Sequence, residues 1–302
     1  MASGRPLLVL ALGGNALSPP ATMSDDYAPE RRIIEATGAR LRRLADRGYR
    51  LLIVHGNGPQ VGRLLRQDPA HGNLDVHIAQ TQGELGYLLA RSVGGSAVCV
   101  LTRVVVAEPP GPPVKPIGPV LVQHPAGSAM RTDGGWRSTV PSPRPLEVLE
   151  QPAIAALLES HHVIAGGGGG IPQTRSGQPA AGVVDKDWVA ALLAIALDAE
   201  HLVFATDVAG VYADPQAPSG MPLASLTLEA ARALIAGGVV APGSMGPKLE
   251  SAVDFAARTG RAALICALDA VELALVGRAG TRVGQASPPA PAVSAVGGDS
   301  GA

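Results

Sequence analysis

The stretch LLVLALGGNAL, residues 7–17, runs six apolar residues into a Gly-Gly-Asn turn, and RLLIVHGNGPQVG, residues 50–62, repeats the arrangement with Gly-Asn-Gly. Between them, from about Pro29 to Arg47, Ile33, Ile34, Leu41 and Leu44 recur near the helical period, while Arg31, Arg32, Arg40, Arg42, Arg43 and Arg47 supply a wet face. Strand, helix, strand in that order predicts a parallel sheet wrapped by helices. Both glycine turns then stand at the carboxyl ends of parallel strands. There the following helices aim free backbone N–H groups and positive dipole ends into one crevice. Glycine lets backbone approach an anion without interference from a Cβ. One such turn is often purely steric; two of the same type make Gly13, Gly14, Asn15, Gly56, Asn57 and Gly58 candidates for holding an anion.

The alternation continues outward. Helices are predicted near 77–92, 146–159, 186–198, 227–236 and 245–259, and strands near 97–107, 162–165, 201–206 and 261–266. The fold class that follows is α/β: a three-layer α/β/α sandwich with a mainly parallel central sheet, in two lobes, 1–165 and 166–284, that meet at a glycine run. Residues 108–145 interrupt the pattern, because EPPGPPVKPIGP and VPSPRP are too rich in Pro and Gly for the main sheet. They are expected to form a protruding lid. The tail 285–302 lacks apolar periodicity and is expected to be disordered.

Composition narrows the function. A chain of 302 residues with 46% hydrophobic content can bury a large core. With 24 basic against 25 acidic residues, it carries no global field for nucleic acid or an anionic membrane surface, so neither is expected as a partner. The run Leu7–Leu12 is too short for a span and follows no basic leader, which makes the cytoplasm the expected compartment. Cys99 and Cys266 sit in the apolar runs AVCVL and ALICAL with no Cys or His at metal-ligand spacing, so both are expected as buried, reduced thiols. Only three lysines, Lys115, Lys186 and Lys248, stand beside 21 arginines. Either a general preference for Arg left three by chance, or these places need a compact ammonium that a planar guanidinium cannot replace.

Position favours the second reading. Lys186 lies between Asp185 and Asp187 at a helix start, where the acids suit the dipole and can hold the ammonium. Lys248 follows the turn PGSMGP, and Lys115 stands in the excursion within VKPIGP. The run Gly166–Gly170 after the strand HVIA is either a hinge or a close approach to ligand, with Gly168 and Gly169 as candidates. It matches neither the Walker loop nor the dinucleotide fingerprint. Phosphoryl transfer asks a protein mainly for alignment and positive charge around the moving group, and glycine turns with lysines supply those parts.

At these residues the chain resembles the carbamate kinase family of the amino-acid kinase superfamily. The likeness rests on ALGGNAL, HGNGPQVG, TQGELGY, VKPIGP, GWRSTVPSPRP, GGGGIP, VVDKD, APGSMGPKLESA and GTRV, in order from residue 11 to 283. The resemblance implies reversible phosphoryl transfer between carbamoyl phosphate and ADP, giving ATP and carbamate, in a cytoplasmic homodimer of arginine metabolism. It further implies that the first lobe and its lid hold the substrate and that the second lobe holds the nucleotide. Lys115 would reach over carbamoyl phosphate, Lys186 and Lys248 would spread charge over the transferred group, and Asp187 would orient Lys186. Thr206, Asp207, Val208, Tyr212 and Met245 would line the nucleotide site, with Mg²⁺ on the phosphates and no dedicated protein cage for the metal. The sequence departs from the family in a short lid, since only Val120 to Asp133 separate KPIGP from GGWR, and in the loop FATDVAGVYADP. Two other readings stay open: a related kinase for another small carboxylate, and a non-catalytic nucleotide-binding regulator derived from one.

Overall fold

The computed structural model describes residues 4–18, 28–67, 73–125, 127–132, 135–214, 220–239 and 245–284. The tail 285–302 lies outside the described residues. The chain starts with β1 (Leu7–Leu12), α1 (Ala28–Asp46), β2 (Arg50–His55), α2 (Gly58–Leu65) and α3 (Leu74–Val93). Then come β3 (Ala97–Cys99), β4 (Arg103–Val106), β5 (Pro113–Leu121), β6 (Ala129–Thr132), β7 (Gly135–Pro141), β8 (Pro145–Val148), α4 (Gln151–Leu157), β9 (His162–Ile164) and β10 (Ile171–Gln173). The second half holds α5 (Lys186–Ala196), β11 (His201–Thr206), β12 (Ser225–Leu226), α6 (Leu228–Ala236), α7 (Met245–Thr259), β13 (Ala263–Ala267), α8 (Val271–Leu275) and β14 (Thr281–Val283).

The central sheet has eight strands in the order β12-β14-β13-β11-β1-β2-β9-β3. Every pairing is parallel except β13 with β14. Strand periodicity sorts the core into two layers. Leu7, Val9 and Ala11 of β1 join Leu52, Val54, Leu202 and Phe204 under α5, α6 and α7. Leu8, Leu10 and Leu12 join Leu51, Ile53 and Val203 under α1, α3 and α8. The apolar runs are continuous because the sheet is covered on both faces. This is the three-layer α/β/α arrangement expected.

Three local expectations are corrected. The strand expected over 97–107 is two strands in different sheets: β3 ends the central sheet, and after the buried Thr102 the chain enters β4, which pairs with β10 and β8. The helix expected from 146 begins at Gln151; Pro145–Val148 instead pair antiparallel with β4, and Pro152 in the first turn of α4 suits a helix start. Cys266 is buried as expected, but Cys99, on the edge strand β3, is exposed.

The excursion folds as its own antiparallel sheet, β5-β7-β6. It is seated on the body by Ile117, which packs with Val61 and Leu65 of α2 and Ile78 of α3. Burying side chains of this size contributes about 1.5–3 kcal/mol each. Gly62 of α2 faces the Gly118 backbone of β5 across this contact.

Candidate active site

Adjacent strands bring the two glycine turns together. Gly13 N donates to Ala205 O at 3.1 Å and Gly56 N donates to Leu12 O at 3.1 Å, which ties the ends of β1, β2 and β11 to one another. Across from them α5 begins. Its cap is Asp185, whose Oδ1 accepts from Asp187 N at 3.0 Å, and this leaves Lys186 and Asp187 in the first turn. Asp187 is 2% exposed and carries two ammoniums: Lys186 Nζ on Oδ1 at 2.9 Å and Lys248 Nζ, from the start of α7, on Oδ2 at 3.1 Å. Lys115 of β5 reaches down from the excursion to Asp185 Oδ2 at 2.6 Å. The three lysines of the chain thus converge on one pair of carboxylates.

Charge and burial set their protonation. Burial alone would raise the Asp185 carboxyl, but Lys115 and Lys186 outweigh it and hold it at about 2. Burial would likewise lower the Lys186 ammonium, yet Asp187 and Asp185 keep it above the usual range. Lys248 is lowered, first by burial, with Asp187 opposing and Lys186 adding repulsion. His55, at the end of β2, is buried and pushed down to about 4, mainly by desolvation; its Nδ1 lies 3.0 Å from Gly56 O, so the neutral ring donates there.

Two cavities meet at this point. The larger, about 630 Å³, is lined by Gly13, Gly14, Thr206 and Asp207, and extends along α1 to Arg40 and past β13 to Asp269. The smaller, about 240 Å³, is lined by Gly14, Gly56, Asn57, Gly58, Lys115, Arg137, Gly168, Asp185 and Asp187. Gly14, Lys186 and Lys248 belong to both walls. The small cavity therefore carries four cationic side chains and two carboxylates, a balance that suits a dianionic phosphoryl group.

Other expected site residues fall elsewhere. Asn15 sits in the short turn Gly14–Ala16 after β1. Gly169 lines neither cavity; its φ of +87° and its contact with the Val184 carbonyl make it a packing glycine. Val208 is exposed, Tyr212 half-buried, and Met245 packs against the core, all outside the lining of both cavities; residues 240–244 beside Met245 lie outside the described residues. Two residues were not foreseen in these places. Arg137 donates Nε to Gly118 O at 3.1 Å and faces the small cavity, where burial lowers its guanidinium. Asp185 helps hold Lys186 as expected, and in addition accepts a hydrogen bond from Lys115. One arginine among 21 carries no compositional signal, but strand pairing offers one: β7 returns along β5, with Ser138 opposite Ile117.

No cluster of three His, Cys, Asp or Glu able to hold a metal occurs among the described residues, and both carboxylates of the small cavity, Asp185 and Asp187, are held by lysines. Asp185 and Asp187 are therefore already neutralised and do not offer a free donor pair for a divalent cation.

The model of the amino acid kinase family matches residues 6–267. The chain is 41% identical to the carbamate kinase of Escherichia coli O6:H1 strain CFT073, over 91% of this chain and 98% of that protein. It is 36% identical to the carbamate kinase of Halobacterium salinarum, over 91% and 97%. The chain belongs to the carbamate kinase branch of the amino acid kinase family. Among solved structures, the Giardia lamblia carbamate kinase bound to AMP-PNP superposes with a TM-score of 0.83 at 31% identity, covering 93% of this chain and 98% of that one. Membership makes the chain a phosphotransferase of α/β/α architecture. No described helix is long and apolar enough to cross a membrane.

Proposed function

We propose that the chain transfers a phosphoryl group between carbamoyl phosphate and ADP, giving ATP and carbamate. The observation that carries this reading is Asp187 holding Lys186 and Lys248 in the wall common to both cavities. Carbamoyl phosphate would enter the smaller cavity and the nucleotide the larger one, its phosphates towards Lys186 and Lys248 and its remainder on the second half, 166–284, past Thr206 and Asp207. An oxygen of the ADP β-phosphate attacks phosphorus, the bond from phosphorus to the carbamoyl oxygen breaks, and carbamate leaves with the electron pair. In a loose transition state, charge grows on the oxygens of the moving group and on the leaving oxygen. Gly14, Gly56 and Gly58 supply close backbone, Lys186 and Lys248 preorganised charge, and Lys115 and Arg137 a clamp on the substrate side.

A divalent cation such as Mg²⁺ would be carried on the nucleotide's own phosphates. The nucleotide-bound relative from Giardia supports ADP and ATP as ligands. A cytoplasmic homodimer serving arginine metabolism completes the proposal. The test is ATP formation from ADP and carbamoyl phosphate, read through a coupled enzyme. Faster turnover of acetyl phosphate would point to another carboxylate kinase, and nucleotide binding without turnover would point to a regulator.

A further inference from the structure

The segment TQGELGY, residues 81–87, lies on α3 and lines neither cavity, yet two of its side chains reach the turns that do. Thr81, fully buried, accepts the Asn57 side-chain N–H at 2.9 Å, and its own hydroxyl is within 2.9 Å of Ile78 O and 3.0 Å of His77 O. Gln82, also buried, commits its carboxamide to the neighbouring turn. It donates to Gly167 O at 3.0 Å and Thr102 O at 3.2 Å, and accepts from Thr102 N at 2.8 Å. Thr102 Oγ1 closes the knot by accepting from Gly166 N at 2.8 Å. Consecutive helix residues point about 100° apart, which lets one turn of α3 hold both loops.

The two loops are close neighbours. Gly168, at φ +65°, lies so near the Asn57 amide that a Cβ there would collide with it. Asn57 and Gly168 both line the small cavity. The helix that carries the anchors is itself fixed by Ile78, Leu85 and Leu89, each 0% exposed. A buried polar knot with its partners satisfied is stiff, so the separation of the loops is set by α3.

We propose that Thr81 and Gln82 are positioning residues that set the width of the slot receiving the acyl phosphate. This rests on the function proposed above. Thr81→Val keeps the shape and removes the acceptor, so the Asn57 amide loses its buried partner and turns into the slot. The expected result is a rise in KM for carbamoyl phosphate of about tenfold with a fall in kcat, the scale of one lost buried hydrogen bond, while ADP affinity by calorimetry stays within about twofold. Thr81→Ser, which keeps the hydroxyl, should return both constants to within about threefold of the parent. Gln82→Met should act in the same direction as Thr81→Val, and Thr81→Ala carries the same comparison should the valine variant not fold. Valine and serine variants that behave alike, or ADP affinity that falls in step with KM, would overturn the proposal. A parent that makes no ATP from carbamoyl phosphate removes the functional reading and leaves this one decidable by NMR. The Asn57 side-chain amide and Gly168 backbone amide signals should move in Thr81→Val and hold in Thr81→Ser; signals unmoved in both would refute the positioning role.

Discussion

Asp187 holds two ammoniums on one carboxylate, and that arrangement decides what each lysine is worth. Replacing Lys186 or Lys248 with Ala leaves Asp187 paired by the other, so the fold should survive while turnover falls by about 10²- to 10³-fold, the scale of one preorganised donor. Arg should rescue poorly, because its fork does not fit a point-charge site. Steady-state rates within about threefold of the parent would sink the assignment. Gly14 gives a second outcome at this scale. An added Cβ there meets nothing within 4 Å, so Gly14→Val should keep its circular dichroism spectrum and lose transfer, its side chain filling space common to both cavities. His55 gives a third. Its neutral form is favoured in the fold, with a value of about 4 against 6.5 unfolded, so its contribution is whole above pH 6.5 and is lost as pH falls towards 4. His55→Asn keeps a donor for Gly56 O and should flatten urea stability across that window by up to about 1.4 kcal/mol per pH unit. The three lysines were legible because an arginine-rich chain makes each lysine conspicuous. Arg137 was not, since what distinguishes it is a strand pairing that sets it beside Gly118, in the wall of the same cavity as Lys115.

The lid is the element that depends most on a few contacts. Its sheet is seated by Ile117, and its return strand is followed by Arg144, whose guanidinium lies over the Trp188 ring of α5. Lys115 meets the cap of that same helix, so lid and α5 are joined at both ends of the excursion. Lys115→Ala should raise the KM for carbamoyl phosphate and lower turnover while ADP affinity by calorimetry stays nearly unchanged, because Lys115 lines the small cavity only. Collapse of ADP affinity with normal carbamoyl phosphate kinetics would place Lys115 in the nucleotide site instead. Elements with a full amphipathic or apolar run, such as α1, α7 and β11, were legible almost to their ends. The stretch 97–107 was not, because its apolar run continues across the point where the chain leaves one sheet for another. PLEV at 145–148 read as helix because four residues hold no period of their own; their pairing with β4 decides them.

At the scale of the whole molecule, the sheet is continuous across the two halves of the chain. β1 is hydrogen-bonded to β2 on one side and to β11 on the other, with Leu8 to Leu12 in register with His201 to Ala205. Residues 1–165 and 166–284 expressed apart would each expose one side of that seam, so neither should show a cooperative thermal transition; two independent transitions would contradict the shared sheet. The order of strands was not legible in the sequence. Alternating strands and helices announce a parallel sheet, but nothing in HLVFAT says that it lies beside LLVLAL. The wall common to the two cavities has one further consequence. Two ligands would meet there end to end, both against Gly14, Lys186 and Lys248. A single compound bridging adenosine and a carbamoyl-like head through phosphates would need no linker beyond the phosphates, so its second half would bind at high effective concentration. The geometry that brings the reactants together thus also describes a bisubstrate inhibitor.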